Sequence, residues 1–363
     1  MKIIQVIYSL VPGGAERFVV DLSNELARDN KVLLYTLRDD SINDHAFYLD
    51  SLNKQIEYFN LKIKPGFKPY LIWLFYKILR KHKPDVVHCH LNLVNYFFFS
   101  SLILRKKIKF LYTVHNPPST EVQSEVERQI RRFFFKHKLF VPVAISDETK
   151  KSCQEFYKLS EIDVIYNGRR DEGPSGKTEE VKHEIELLKR TKKTLVFCHL
   201  SRYDKIQKNQ IMLIRVFNRL MEEGYDVTLL VIGSGFEEAS QLKNEAKSHI
   251  HFLGVKSNVN DYLLISDAFC LSSSFEGMPI SLLEAFACGC IPVCTPVGGI
   301  VDLVKNGVTG FVSKSIGEDD YYNSLLQFIK EHKNINRENL KKIFYNNYSI
   351  EHCTKQYIDL FKI

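Results

Sequence analysis

The 363-residue chain has no long hydrophobic run. Its greasiest stretch, 91–104, contains Asn92, Asn95 and two serines. It falls short of the roughly 18 apolar residues that a bilayer span needs, so a transmembrane helix is excluded. The first ten residues lack the charged, then apolar, then small-residue order of a secretory signal. Glycine and proline are few, 17 and 11, which argues against a fibrous or disordered chain. No CxxC pair occurs, and the eight cysteines have no framework spacing. Cys288, Cys290 and Cys294 cluster, but in an apolar strand-like run, where reduced thiols compete with a zinc site. A chain this long buries a core without disulfides, so reduced cysteines in a cytoplasmic protein are expected. GxGxxG spacing is missing, which removes support for a nicotinamide dinucleotide. No Asp-x-Asp stands at a strand end, so no metal is expected, and no other cofactor. No nucleic-acid reading motif is visible.

The length predicts two domains. Net charge is +7, and residues 1–168 hold 25 Lys and Arg against 18 Asp and Glu, while the remainder holds 25 of each. The excess therefore lies in the N-terminal half, which suits an anionic partner or a mildly biased solvated surface. Short β-rich runs alternate with helical patterns, the mark of βαβ units and parallel sheets. Strands are expected over 2–8, 32–36, 86–88, 110–114, 141–145 and 163–166. In the second half they are expected over 194–200, 227–232, 250–253, 268–271 and 291–294. Helices are expected over 15–28 and 70–81. The periodicity breaks around 167–177, which sets the domains at 1–168 and 169–345, with a helix over 346–363 returning to the first domain. The fold class is α/β: two Rossmann-like domains with parallel sheets facing an interdomain cleft, ligands lying beyond the carboxyl ends of the strands.

Three segments carry chemistry. Pro12-Gly13-Gly14-Ala15-Glu16-Arg17 follows the first strand and opens a helix. It suits either close backbone approach to an anion or a tight turn. Arg202 and Lys208 follow another strand and would converge on a diphosphate, one as a planar fork and one as a point charge, or else are surface charge. Ser272 to Ala285 leaves a strand through small hydroxyl residues, passes Glu276, and starts a helix near Pro279. Amides around Gly277, Met278, Pro279 and Ile280 would face an anion. Glu276 and Glu284 either hold two sugar rings or serve as a helix-start residue and a surface residue. The apolar run after Glu284 favours the former, because a charge on a mostly buried helix needs a partner.

The string Phe275-Glu276-Gly277-Met278-Pro279, with Glu284-Ala285 and then Gly289-x-Ile291-Pro292-Val293, resembles the signature of retaining family-four glycosyltransferases. These have the GT-B fold and an E-x7-E motif. The likeness extends over nearly the whole chain: Gly13-Gly14-Ala15-Glu16-Arg17, Asp85 to His90, Val114-His115-Asn116, Tyr166-Asn167-Gly168, Gly233-x-Gly235 and Val297-Gly298-Gly299-Ile300 all fit. The resemblance implies that Arg202 and Lys208 bind the donor diphosphate, that Glu276 binds the transferred sugar and that Glu284 binds the ribose. Gly14, Gly235 and the 277–280 amides would contact phosphate or sugar. His115 would sit beside the reacting carbon, and Val255 by the nucleotide base. It also implies retention of anomeric configuration, a UDP-sugar donor with GDP as the alternative, and a hexose or N-acetylhexosamine as the cargo. His88 and His90 share a strand face, which suits metal or a packed acceptor-side role. The chain departs from the pattern at Arg169-Arg170-Asp171, and at Asn209, where glycine is commonest.

Tyr96-Phe97-Phe98-Phe99 with Arg105-Lys106-Lys107, and Arg131-Arg132-Phe133-Phe134-Phe135-Lys136, mix aromatics with cations. They suit an anionic membrane surface or buried aromatics beside solvated turns. On the first reading Arg131, Arg132 and Lys136 meet the membrane or acceptor side. The acceptor is then a glycan carried on a lipid, as in polysaccharide assembly at the inner face of the cytoplasmic membrane. The rivals are a nucleotide-sugar epimerase or another enzyme of this architecture, and a basic nucleic-acid-binding protein. No nucleic-acid partner is expected.

Overall fold

A computed structural model describes residues 1–41 and 43–362. It divides into two compact units, Met1–Arg170 with the chain from Tyr348 onward, and Asp171–Asn347. The breaks fall two residues beyond those expected at 168 and 345. The cause at the first break is Arg169, whose buried guanidinium lies 2.8 Å from Asp21 on the Gly14–Leu26 helix. This pairing accounts for an arginine where the family pattern has an apolar residue. Gly168 lets the chain return: a Cβ there would lie 2.6 Å from the Cys353 Cβ and 2.9 Å from the Ile350 Cα. The Ile350–Lys362 helix thus packs on the first unit, with the Tyr357 hydroxyl 2.8 Å from the Thr113 Oγ1.

The first unit contains β1 (Lys2–Ile7), β2 (Lys31–Thr36), β3 (Glu57–Asn60), β4 (Val86–His90), β5 (Lys109–Val114), β6 (Val141–Ala144) and β7 (Asp163–Val164). They form one parallel sheet in the order β3-β2-β1-β4-β5-β6-β7. The second unit contains β8 (Leu195–Leu200), β9 (Val227–Ile232), β10 (Ile250–Gly254), β11 (Ala268–Leu271), β12 (Ile291–Cys294) and β13 (Phe311–Val312), in the order β10-β9-β8-β11-β12-β13, also parallel. The central strands are apolar and buried along nearly their full length, as sheets covered by helices on both faces require. All eight cysteines are free and buried in these cores. Among the described residues no helix is long and apolar enough to cross a membrane.

Two strands were not expected from the sequence, β3 and β13. Both are edge strands, short or half-exposed, and so lack the continuous apolar run that marks the interior ones.

Candidate active site

In each sheet the strand order reverses beside the first strand, between β1 and β4 and between β8 and β11. Open α/β sheets bind ligands beyond the carboxyl ends of the strands at that point. In the second unit Ser201–Asn209 leaves β8 there, and Ser272–Pro279 leaves β11.

The two segments are joined by an ion pair. Lys208 Nζ lies 2.5 Å from Glu276 Oε1, with both side chains largely buried. Ser273 Oγ donates to the same carboxylate oxygen at 2.6 Å. Ser272 Oγ donates to the Lys208 carbonyl at 2.9 Å, and the Ser274 amide to the Gln207 carbonyl at 2.7 Å. Lys208 is thereby held at a fixed point against the strand end. Asn209 has φ +50°, the left-handed conformation that favours glycine and that asparagine tolerates. Its presence where glycine is commonest leaves the turn intact.

A loop after β12 clamps the Glu276 backbone. The Gly299 amide donates to the Gly277 carbonyl at 2.6 Å. Gly298, at φ +57°, approaches so closely that a Cβ would sit 2.1 Å from the Glu276 carbonyl oxygen. No side chain fits there. Pro279 caps the Ile280–Ala287 helix in an extended conformation, and its first-turn amides open beside Gly277 and Met278. Glu284 lies half-buried on this helix between buried Leu283 and Ala285.

Arg202 is half-exposed and held at 3.1 Å by both Asp204 and Gln207. Its loop is anchored by a polar chain that the sequence did not suggest. His199 Nδ1 donates to the Cys270 carbonyl at 2.9 Å, so its Nε2 accepts from Ser201 Oγ at 2.7 Å. Gln210 then donates to Ser201 Oγ and to the Arg202 carbonyl. Burial depresses the His199 pKa to about 4, which keeps the ring neutral as this chain requires. Gly233 (φ +145°) and Gly235 (φ +81°) follow β9, where a Cβ on Gly233 would overlap the Ser201 carbonyl. Val255 is exposed just past β10. Ser273 and Gln207 were missed from sequence; the Ser-x-x-Glu spacing at 273–276 was the available signal for the first.

In the first unit Gly14 starts its helix after β1, and His115 follows β5. His88, His90 and His115 are buried and grouped with Gln5 and Thr113. Among the described residues no group of three or more His, Cys, Asp or Glu side chains, these histidines included, is arranged so that it could hold a metal ion.

The assignment of Arg131 to a membrane or acceptor surface is corrected by the structure. Its side chain is fully buried, 2.6 Å from Glu127 Oε1 and 3.7 Å from Glu121 Oε2, and hydrogen-bonded to Asn92. It neutralises carboxylates inside the unit and reaches no surface. Lys136 is exposed and Arg132 partly so.

Two family models match the chain, Glycosyltransferase Family 4 over residues 12–172 and Glycosyl transferases group 1 over 180–347. Between them they take in most of both units, and the chain belongs to the family 4 glycosyltransferases. It is 26% identical over 293 residues to N-acetyl-alpha-D-glucosaminyl L-malate synthase of Bacillus anthracis, covering 77% of this chain and 75% of that one. It is 26% identical over 342 residues to the UDP-Gal:alpha-D-GlcNAc-diphosphoundecaprenol alpha-1,3-galactosyltransferase of Escherichia coli, covering 89% and 84%. HepE of Anabaena, solved in complex with UDP, superposes with a TM-score of 0.80 at 18% identity over all of both chains. The fold is GT-B.

Proposed function

We propose that the protein is a retaining, metal-independent transferase that moves a hexose or N-acetylhexosamine from a UDP-sugar to a lipid-linked glycan at the cytoplasmic face of a membrane. The observation that carries the donor side is the Lys208–Glu276 pair at the switch point of the second sheet, with Arg202 on the same loop as Lys208. The breaking glycosidic bond leaves a nucleoside diphosphate whose charge must be met as it grows. Lys208, Arg202 and the Ile280–Ala287 helix N-terminus supply positive potential without a metal. Glu276 accepts hydrogen bonds from sugar hydroxyls, and Glu284 from the ribose. Gly235, past β9, and Val255, past β10, lie one and two strands to the side of Lys208. At about 4.8 Å per strand this spreads the contacts for an extended nucleotide along the sheet edge. The galactosyltransferase of Escherichia coli takes a UDP-sugar to a diphospho-lipid acceptor, which favours UDP and an acceptor of that chemistry.

Retention follows if the leaving phosphate assists attack on the same face, and it excludes simple inversion by a single base. Incubation with UDP-hexoses, a diphospho-lipid glycan and a chelator should yield an α-linked product by anomeric proton couplings. A β-linked product, or loss of turnover on chelation, contradicts the reading.

Support for the membrane side comes from the first unit. Residues 58–120 carry eleven Lys and Arg against one acid, Asp85. Phe67, Tyr70, Trp73, Phe99, Leu102 and Ile103 are exposed on the same unit, and Trp73 lies 6.4 Å from Phe99 ring to ring. Exposed aromatics among cations suit an anionic bilayer, at about 1 kcal/mol per Lys or Arg near its surface. Trp73 is the chain's single tryptophan, so its emission reports this face alone. A blue shift with phosphatidylglycerol vesicles that salt reverses is expected, and none with phosphatidylcholine. Emission unmoved by the anionic vesicles would remove the membrane from the account.

A further inference from the structure

Gln5, His90 and His115, on one face of the first sheet, form a hydrogen-bonded chain with His88 packed beside it, and of these only His115 has a role implied by the family resemblance. Gln5 is on β1, His88 and His90 on β4, and His115 one residue past β5. His90 Nε2 lies 2.8 Å from Gln5 Oε1, and His90 Nδ1 lies 3.0 Å from His115 Nε2. Gln5 and His90 are fully buried, and His115 nearly so. The neighbouring His88 ring packs 4.1 Å from that of His90, and is tied through Thr113 Oγ1 to the Tyr357 hydroxyl of the C-terminal helix. The rings are thus clamped from two sides and have one arrangement.

Burial keeps all three histidines neutral. Desolvation pushes His88 and His115 down to about 3 and holds His90 well below its ordinary value, with the neighbouring histidines adding to the effect on His88 and His90. A neutral imidazole has one N–H and one lone pair. Gln5 Oε1 can only accept, so His90 Nε2 carries the proton. His90 Nδ1 is then the lone pair, and His115 Nε2 must be its donor. Turning the Gln5 amide over would invert each bond in this chain, so the glutamine decides the state of a ring two hydrogen bonds away.

We propose that Gln5 and His90 are positioning residues that fix His115 as the Nε2–H tautomer. Its Nδ1, which bonds nothing else among the described residues, is left as a lone pair. A lone pair there accepts a hydrogen bond from a sugar hydroxyl; an N–H would offer one instead and favour a different hydroxyl orientation. The catalytic consequence rests on the reading of His115 as the residue beside the reacting carbon, whereas the tautomer itself does not.

Long-range proton–nitrogen correlation spectra of the full chain, labelled with ¹⁵N-histidine, read the tautomer directly. The His115 signals are assigned by their loss in His115→Asn. The wild type should show a pyrrole-type Nε2 and a pyridine-type Nδ1 at His115. Gln5→Met keeps the side-chain volume and removes the acceptor, so both tautomers should appear. kcat for transfer should then fall about twofold with the donor KM unchanged, because about half the molecules present the wrong nitrogen. A wild-type His115 protonated on Nδ1 overturns the proposal, as does a Gln5→Met protein that keeps the single wild-type tautomer. The wild-type spectrum decides even if the variant does not fold. An Nε2–H tautomer in a protein that transfers no sugar supports the relay and counts only against the functional reading.

Discussion

Lys208→Ala and Glu276→Ala are each expected to lower kcat for sugar transfer by about 10²–10³-fold, the loss found when a preorganised charge partner is removed from a reacting centre. The two side chains meet at 2.5 Å at the strand-order reversal of the second sheet, so neither is free to be replaced by its neighbour. Without Lys208 the nearly buried carboxylate keeps one bond, from Ser273. That costs about 1–3 kcal/mol, within the roughly 5–15 kcal/mol of a typical fold, so both variants should give wild-type circular dichroism. The double variant should be about as slow as the slower single one, because residues acting as a unit do not add. Wild-type turnover in either single variant would refute the site.

Arg131→Ala is expected to cost about 3–5 kcal/mol of stability and to leave vesicle binding unchanged in whatever protein remains folded. The guanidinium lies buried between Glu127 and Glu121 and over the Tyr112 ring at 5.9 Å. Its removal leaves Glu121, itself buried and bonded to Tyr112, without its countercharge. Arg132→Ala and Lys136→Ala should each stay within about 0.5 kcal/mol of the wild type in urea unfolding, as surface changes do. An Arg131→Ala protein as stable as the wild type would return that residue to the surface role it had from sequence.

Arg131 also shows where sequence reading fails. A cation just ahead of an aromatic run on an amphipathic stretch looks like a snorkelling membrane residue. Its partners are Glu127 four positions back on the helix and Glu121 outside it, and only the second shows that the pair turns inward. Interior strands were readable because burial on both faces demands an unbroken apolar run: β9, β11 and β12 match their expected limits. Edge strands β3 and β13 carry no such demand and were missed. Spacing brought Glu276 and Lys208 to light as separate candidates, but not their contact, which spans 68 residues of sequence. Gly298 was legible as part of a pattern, while its reason, a backbone pressed against Glu276, is a property of the folded loop. The Gln5–His90–His115 chain was hidden for the same cause: it joins three strand segments that are distant in sequence.

The central claim is that the second unit holds a nucleoside diphosphate at the ends of β8 and β11 through Lys208. Thermal unfolding with and without UDP tests it most directly. The wild type should be stabilised by about 2.7 kcal/mol at a hundredfold excess over Kd, and Lys208→Ala should lose most of that gain. An unchanged melting temperature with UDP, or an equal rise in the variant, would contradict the account.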